Sequence, residues 1–190
     1  YIAVTGVQTC ALPICRFIED RLPSILHHDD PNIHIETDLP ADLPNISADP
    51  TQMQMILSAI TANAAEAVEG TGYITISTGT AEINEEVAKN RVGSKPGSYV
   101  YLRVEDDGKG MDEEAKKRIF DPFFTTKFQG RGLGMAATYG IVKNHEGWID
   151  IHSEVGKGTA VQVYFPAVYV QEAHAEEKRE QLTAGKGTIL

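Results

Sequence analysis

The sequence predicts a mixed α/β domain, on three observations. Residues 99–106 (YVYLRVED) alternate strictly, with Val100, Leu102 and Val104 on one face and Tyr101, Arg103 and Glu105 on the other. The same two-residue period returns at 72–79, through Ile74 and Ile76, and at 159–165, through Val161, Val163 and Phe165. Between them, residues 49–68 place Met53, Ile56, Leu57, Ile60, Ala64 and Ala67 at helical spacing behind an Asp49-Pro50 start. The chain of 190 residues is 42% hydrophobic and 23% charged, which suits one globular domain with tails. A net charge of −10 argues against general binding to nucleic acid or anionic membrane. No apolar run approaches bilayer length.

Taken in order, Val4–Ile14 (VTGVQTCALPI) matches the conceptual translation of a common sequencing-adapter oligonucleotide, so residues 1–15 are expected to be non-native and are set aside. Cys10 lies in that stretch and Cys15 beside it, which removes any argument from cysteine usage. Residues 16–28 carry Phe17, Ile18, Leu22, Ile25 and Leu26 at roughly helical spacing; 16–32 reads as a helix and linker leading into the domain. His27, His28, Asp29, Asp30 and His34 resemble a metal cluster, but no ligand spacing recurs and Pro31 breaks the run, so a solvated linker is the better reading. Residues 33–37 alternate as an edge strand, and 38–47, with Pro40 and Pro44, read as a loop. After the 49–68 helix and the 72–79 strand, the polar, acidic stretch 81–98 reads as a hairpin loop.

The strand at 99–106 ends in chemistry. Asp106 shares the parity of the apolar residues, so the strand delivers a carboxylate to the buried side of the sheet, where it needs hydrogen-bond donors. Gly108 and Gly110 follow, letting the backbone turn sharply beside a flat ligand. An acidic acceptor at a core rim suits a purine amine: adenine's NH2 donates to it, whereas the keto oxygen of guanine is repelled. The plain alternative is an acid-capped turn. Asp112 then caps a short helix with acids first and bases last. Residues 120–127 (FDPFFTTK) read as a loop on an aromatic anchor. Gly130, Gly132 and Gly134 lead into a helix over 133–144, and exposed N–H groups at such a start attract phosphate. Neither a dinucleotide GxGxxG nor a P-loop GxxxxGK[ST] is present. Residues 147–153 and 159–165 read as strands joined by a GKG turn, with His145 and His152 a cap and a surface residue; Pro166 is expected to end the domain. Asn63, on the edge of the 49–68 stripe, would alone be read as a satisfied core amide.

Four stretches in one order, ITANAAEA around Asn63, DDGKG from Asp106, FDPFFTTK from Phe120 and GRGLGM from Gly130, resemble the N, G1, F and G2 boxes of the histidine-kinase catalytic and ATP-binding domain. That domain is kin to gyrase, heat-shock chaperone and mismatch-repair ATPases. The resemblance spans 33–166 and implies a Bergerat fold: a two-layer α/β sandwich, its sheet mixed and mostly antiparallel, with helices on one face and ATP between helices and lid. It implies that Asn63 holds Mg2+ on the ATP phosphates, that Lys127 faces the γ-phosphate with Arg131 as second candidate, and that Phe120 opens the lid. It further implies that Gly130, Gly132, Leu133 and Gly134 cradle phosphate, that Asp106, Gly108 and Gly110 hold adenine, and that Thr159 supports the adenine end through a hydroxyl or water. Only Phe128 and Gln129 separate Lys127 from Gly130, so a short lid of limited travel is expected.

The chain departs from the family at Ala59, one turn before Asn63, where the ATPases carry a water-activating Glu and many kinases Asn. Alanine neither takes a proton nor binds metal, so efficient hydrolysis is not expected. None of the six histidines sits in a helix followed by the Glu and Pro of the phosphoacceptor motif. The expected partners are therefore a dimerisation and phosphoacceptor domain, from the same or a neighbouring chain, and a response-regulator receiver domain. Residues 167–190 read as a linker, and the closing GKGTIL resembles the lead-in to a receiver domain, as in a bacterial hybrid sensor kinase. A cytoplasmic location follows, with any membrane anchor elsewhere in the parent protein. A stand-alone ATPase and a non-catalytic nucleotide-sensing adaptor are the rival readings.

Overall fold

The computed structural model describes residues 8–25, 32–89, 95–125 and 132–169. Its elements are β1 (Cys10–Leu12), α1 (Ile14–Ile25), β2 (Ile33–Asp38), β3 (Asn45–Ala48), α2 (Pro50–Ala67), β4 (Gly72–Ile83), α3 (Glu85–Lys89), β5 (Gly97–Asp106), α4 (Glu113–Arg118), α5 (Gly134–Asn144), β6 (Trp148–Glu154) and β7 (Gly158–Val168). The strands form one sheet in the order β1-β3-β7-β5-β4-β2, with β6 also paired to β7. Every pairing is antiparallel except β2 with β4.

Strand alternation decides which face is covered. In β5 the side chains of Val100, Leu102, Val104 and Asp106 are buried, as are their β4 and β7 neighbours Ile74, Ile76, Val161, Val163 and Phe165. Helices α2 and α5 lie on that face, and α2 contributes Met53, Ile56, Leu57, Ile60, Thr61 and Ala64. Its start is fixed by Asp49, whose carboxylate accepts the N–H groups of Thr51 (2.8 Å) and Gln52 (3.0 Å). The Gln52 N–H is the leading cause that holds the Asp49 carboxyl below its ordinary value; desolvation opposes it, and the Thr51 N–H adds to the lowering.

At the far end of α5, His145 closes the helix pair. Its Nδ1–H donates to the carbonyl of Ile141 (2.8 Å), and its Nε2 accepts the Asp49 N–H (3.2 Å). A carbonyl takes only a donor and an N–H only an acceptor, so the contacts select the neutral Nδ1–H tautomer.

Several boundaries differ from the sequence reading. Residues 45–47, expected as loop, belong to β3, because Ile46 buries fully and its backbone pairs with Ala167 and Leu12. The hairpin loop expected over 81–98 is shorter: β4 continues to Ile83, paired with Gly97, and α3 follows. Pro166 does not end the domain. It lies opposite Tyr99 within β7, which runs on to Val168 so that Ala167 and Val168 pair with β3. Helix α1 starts at Ile14 rather than Arg16, and Leu12, Ile14 and Cys15 pack into the core. That packing concerns the fit of residues 10–15, not their origin. His27, His28, Asp29 and Asp30 lie outside the described residues; His34 packs its ring 5.1 Å from that of Tyr73. No helix among the described residues is long and apolar enough to cross a membrane.

Candidate functional site

A cavity of about 520 Å³ opens between the inner sheet face, α2, α4 and the start of α5. Its floor is apolar: Ile60 and Ala64 from α2, Val104 from β5, Met111 from the turn after it, and Val161 from β7. Asp106, 7% exposed, also lines the cavity. Asn63, Glu66, Gly132, Leu133 and Gly134 line it as well.

The acid is held by backbone. Gly108 donates its N–H to Asp106 Oδ1 (3.0 Å), and the Thr159 N–H also donates to the carboxylate. Burial nevertheless dominates and pushes the Asp106 carboxyl above its ordinary value, with Asp107 and Glu105 adding to the rise against those two donors. Asp107, its neighbour in sequence, does something else: its Oδ1 accepts the Tyr73 N–H (2.8 Å) and pins the start of β4.

The turn after Asp106 is clamped on both sides. Lys109 N–H donates to the Ala67 carbonyl at the end of α2 (3.0 Å), Gly156 N–H donates to the Lys109 carbonyl (2.8 Å), and Met111 N–H donates to Ser153 Oγ (2.8 Å). The glycines serve this clamp. A methyl on Gly108 would overlap the Ala67 carbonyl oxygen, and one on Gly110, at φ +66°, would overlap that of Glu154. Gly108 does not line the cavity at all. Both glycines thus permit a backbone-on-backbone contact, and of the two Gly110 lines the cavity.

At the start of α5, Leu133 occupies the cap position, and among the described residues no side chain caps the first N–H groups. These N–H groups at the positive end of the helix dipole suit an anion. Gly132, at φ +62°, lies against the backbone of Phe123 and Phe124, and the Phe123 N–H donates to the Gly132 carbonyl (2.9 Å). Phe120 packs its ring 5.1 Å from Tyr139 of α5, behind the cavity wall; Phe124 and Thr125 line the wall instead. Gly130, Lys127 and Arg131 lie outside the described residues, as do Phe128 and Gln129.

Asp106, Asn63, Gly110, Gly132, Leu133, Gly134 and Thr159 therefore share one cavity, although they come from four separate stretches of sequence. The sequence reading missed Met111, Val104 and Val161 as floor residues, since apolar residues of a strand read as plain core. It also missed Ser153, which gives no signal until β6 and β7 are paired. No group of three or more His, Cys, Asp or Glu among the described residues forms a metal cage. A lone amide oxygen from Asn63 instead suits Mg2+, which retains waters and takes its other ligands from phosphates.

Comparison with known proteins agrees with this geometry. Residues 48–169 match the family described as histidine kinase-, DNA gyrase B-, and HSP90-like ATPase. The chain is 32% identical over 170 residues to sensor kinase CckA of Brucella abortus (strain 2308), covering 84% of this chain and 18% of that protein. Sporulation kinase E of Bacillus subtilis (strain 168) is 32% identical over 148 residues, covering 78% of this chain and again 18% of the relative. The chain thus spans under a fifth of these relatives. Among solved structures, the catalytic domain of histidine kinase ThkA superposes with a TM-score of 0.59 at 26% identity, over 84% of this chain and 96% of that one. Mycobacterial sensor histidine kinase MprB gives 0.65 at 19% identity, over 84% and 98%, which speaks for the fold alone.

Proposed function

The chain belongs to the histidine kinase-, DNA gyrase B-, and HSP90-like ATPase family, an ATP-binding family with the Bergerat fold, and from that premise we propose that it is the catalytic domain of a sensor histidine kinase. It holds ATP with adenine on the apolar floor and the phosphates toward α5. It presents the γ-phosphate to a histidine on a separate dimerisation domain, whose imidazole nitrogen attacks phosphorus while the bond to the ADP oxygen breaks. The observation that carries this reading is one cavity lined by a buried carboxylate, an apolar floor, Asn63 and the start of α5, whose cap residue Leu133 makes no side-chain cap hydrogen bond.

Each residue has a part. Asp106 accepts the adenine amine. Asn63 is the residue that would hold Mg2+, and the metal when bound would neutralise phosphate charge. The backbone from Gly132 to Gly134, leading into α5, faces the phosphates, while Lys127, or Arg131 as the second candidate, serves the γ-phosphate. The main contributions are positioning and charge neutralisation rather than covalent chemistry. Ala59 offers no base to activate water, in keeping with transfer to a protein histidine rather than hydrolysis. The proposed setting is the cytoplasm, with a dimerisation and phosphoacceptor domain and a receiver domain as partners.

The test joins binding to transfer. Mg-ATP is expected to raise the melting temperature by mass action, Mg-GTP much less, and the isolated chain to phosphorylate nothing until a purified dimerisation and phosphoacceptor domain is added. Steady turnover by the chain alone, lost in Asn63→Ala, would show a stand-alone ATPase. No shift with Mg-ATP or Mg-ADP would show a nucleotide-independent adaptor.

A further inference from the structure

Behind the adenine end of the cavity lies a hydroxyl relay with fixed proton directions. Ser153 Oγ of β6 accepts the Met111 N–H (2.8 Å), lies 3.0 Å from the Gly158 carbonyl oxygen and 2.8 Å from Thr159 Oγ1. A hydroxyl has one proton and two lone pairs. The Met111 N–H takes one lone pair. The Gly158 carbonyl can only accept, so it takes the Ser153 proton. The remaining contact must then be donated by Thr159. Its proton points away from the cavity, and the Thr159 oxygen keeps only lone pairs for whatever lies in front of it. Thr159 lines the cavity; Ser153 does not.

We propose that Ser153 is a positioning residue for base choice: by claiming the Thr159 proton it leaves the Thr159 oxygen beside Asp106 acceptor-only toward the six-position of the base, suited to a 6-amino group and hostile to a 6-oxo group. This deepens the ATP-site reading and rests on it. Asp106 alone already disfavours a keto oxygen. Thr159 is the second acceptor, and unlike a carboxylate it could serve either base if its proton were free to turn. Ser153 removes that freedom, and at the same time ties the Met111 turn to the β6–β7 turn, so both walls of the base slot depend on one oxygen.

The test compares Mg-ATP with Mg-ITP, which differ at the six-position of the purine and in the proton that ITP carries on N1, by calorimetric titration of the whole chain. In Ser153→Ala the Thr159 proton is released, and the preference for ATP over ITP is expected to fall at least about fivefold, while Ser153→Thr keeps it. Thr159→Val deletes the acceptor and is expected to lower the preference similarly; the double variant should add nothing further. A purely structural Ser153 would weaken both nucleotides in parallel and leave their ratio alone, and that result overturns the proposal. If Ser153→Ala does not fold, an unchanged ratio in Thr159→Val overturns it equally. Wild-type chain that binds neither nucleotide would instead sink the ATP site itself.

Discussion

Asp106→Asn separates a binding acid from a structural one, because the two roles predict opposite signs. The carboxyl is buried and its proton affinity is raised, with desolvation as the leading cause. A carboxyl raised in the folded state is ionised there at a cost to stability. The cost is fully present above its folded pKa and fades as pH falls through that value toward the unfolded one. Replacing the charge with an amide removes the cost and keeps an oxygen for the Gly108 N–H. Nucleotide-free Asp106→Asn should therefore melt no lower than wild type at pH 7–8, and its advantage should vanish on acidification. Binding should move the other way. A charge-assisted hydrogen bond contributes about 1.5–3 kcal/mol, so ATP affinity should fall roughly ten- to 150-fold by calorimetric titration. Wild-type affinity should also weaken as pH falls into the raised range of the carboxyl, a step that the amide variant lacks. Loss of stability together with unchanged affinity would refute the reasoning, because the acid would then serve the fold and not the base.

Three further outcomes follow from named contacts. Asn63→Ala should weaken ATP binding in Mg2+ and change it little in excess chelator, a difference read by titration with and without metal. Ile60→Ala empties a side chain that is 1% exposed under the cavity floor; it should cost about 2–5 kcal/mol in denaturant unfolding. His145→Phe keeps the ring but leaves the Asp49 N–H without its acceptor, and should cost about 1–3 kcal/mol by the same measurement.

The parts of the fold that were legible are those whose signal is local. The period of β5 placed Asp106 correctly on the buried face, and Asp49-Pro50 marked the first turn of α2. What escaped depends on partners distant in sequence. Asn45–Ala48 reads as loop until Ile46 meets Ala167, and Pro166 reads as a stop until β7 continues past it to reach β3. The extension of β4 is imposed by the matching length of β5. The site followed the same rule. The motif residues came from the family resemblance, whereas Ser153 meets the Met111 N–H, the Gly158 carbonyl and the Thr159 hydroxyl, a meeting that no local pattern encodes.

The glycines sharpen that point, because a backbone contact accompanies the motif. A phosphate- or base-binding glycine is expected to leave room for ligand, and at Gly108, Gly110 and Gly158 the place of a side chain is taken by the protein's own backbone. Gly158, at φ +92°, is the clearest case: an added methyl would overlap the carbonyl oxygen of Asp106 and lie 2.9 Å from Asp107 Cα. Neither neighbour can turn aside, since both are backbone atoms where β5 ends at Asp106, the acid proposed to read the base. Gly156, two residues earlier at φ +76°, has open space around the same position. The pair makes a controlled comparison. Gly156→Ala bears only the left-handed backbone penalty, about 1–2 kcal/mol. Gly158→Ala bears that penalty and must also displace the end of β5, so its melting temperature should fall well below that of Gly156→Ala and its ATP affinity should drop with it. Equal melting temperatures in the two variants, with ATP binding intact, would mean that the backbone behind Asp106 yields freely, and that the acid's position is not set by the glycine contact argued from the structure.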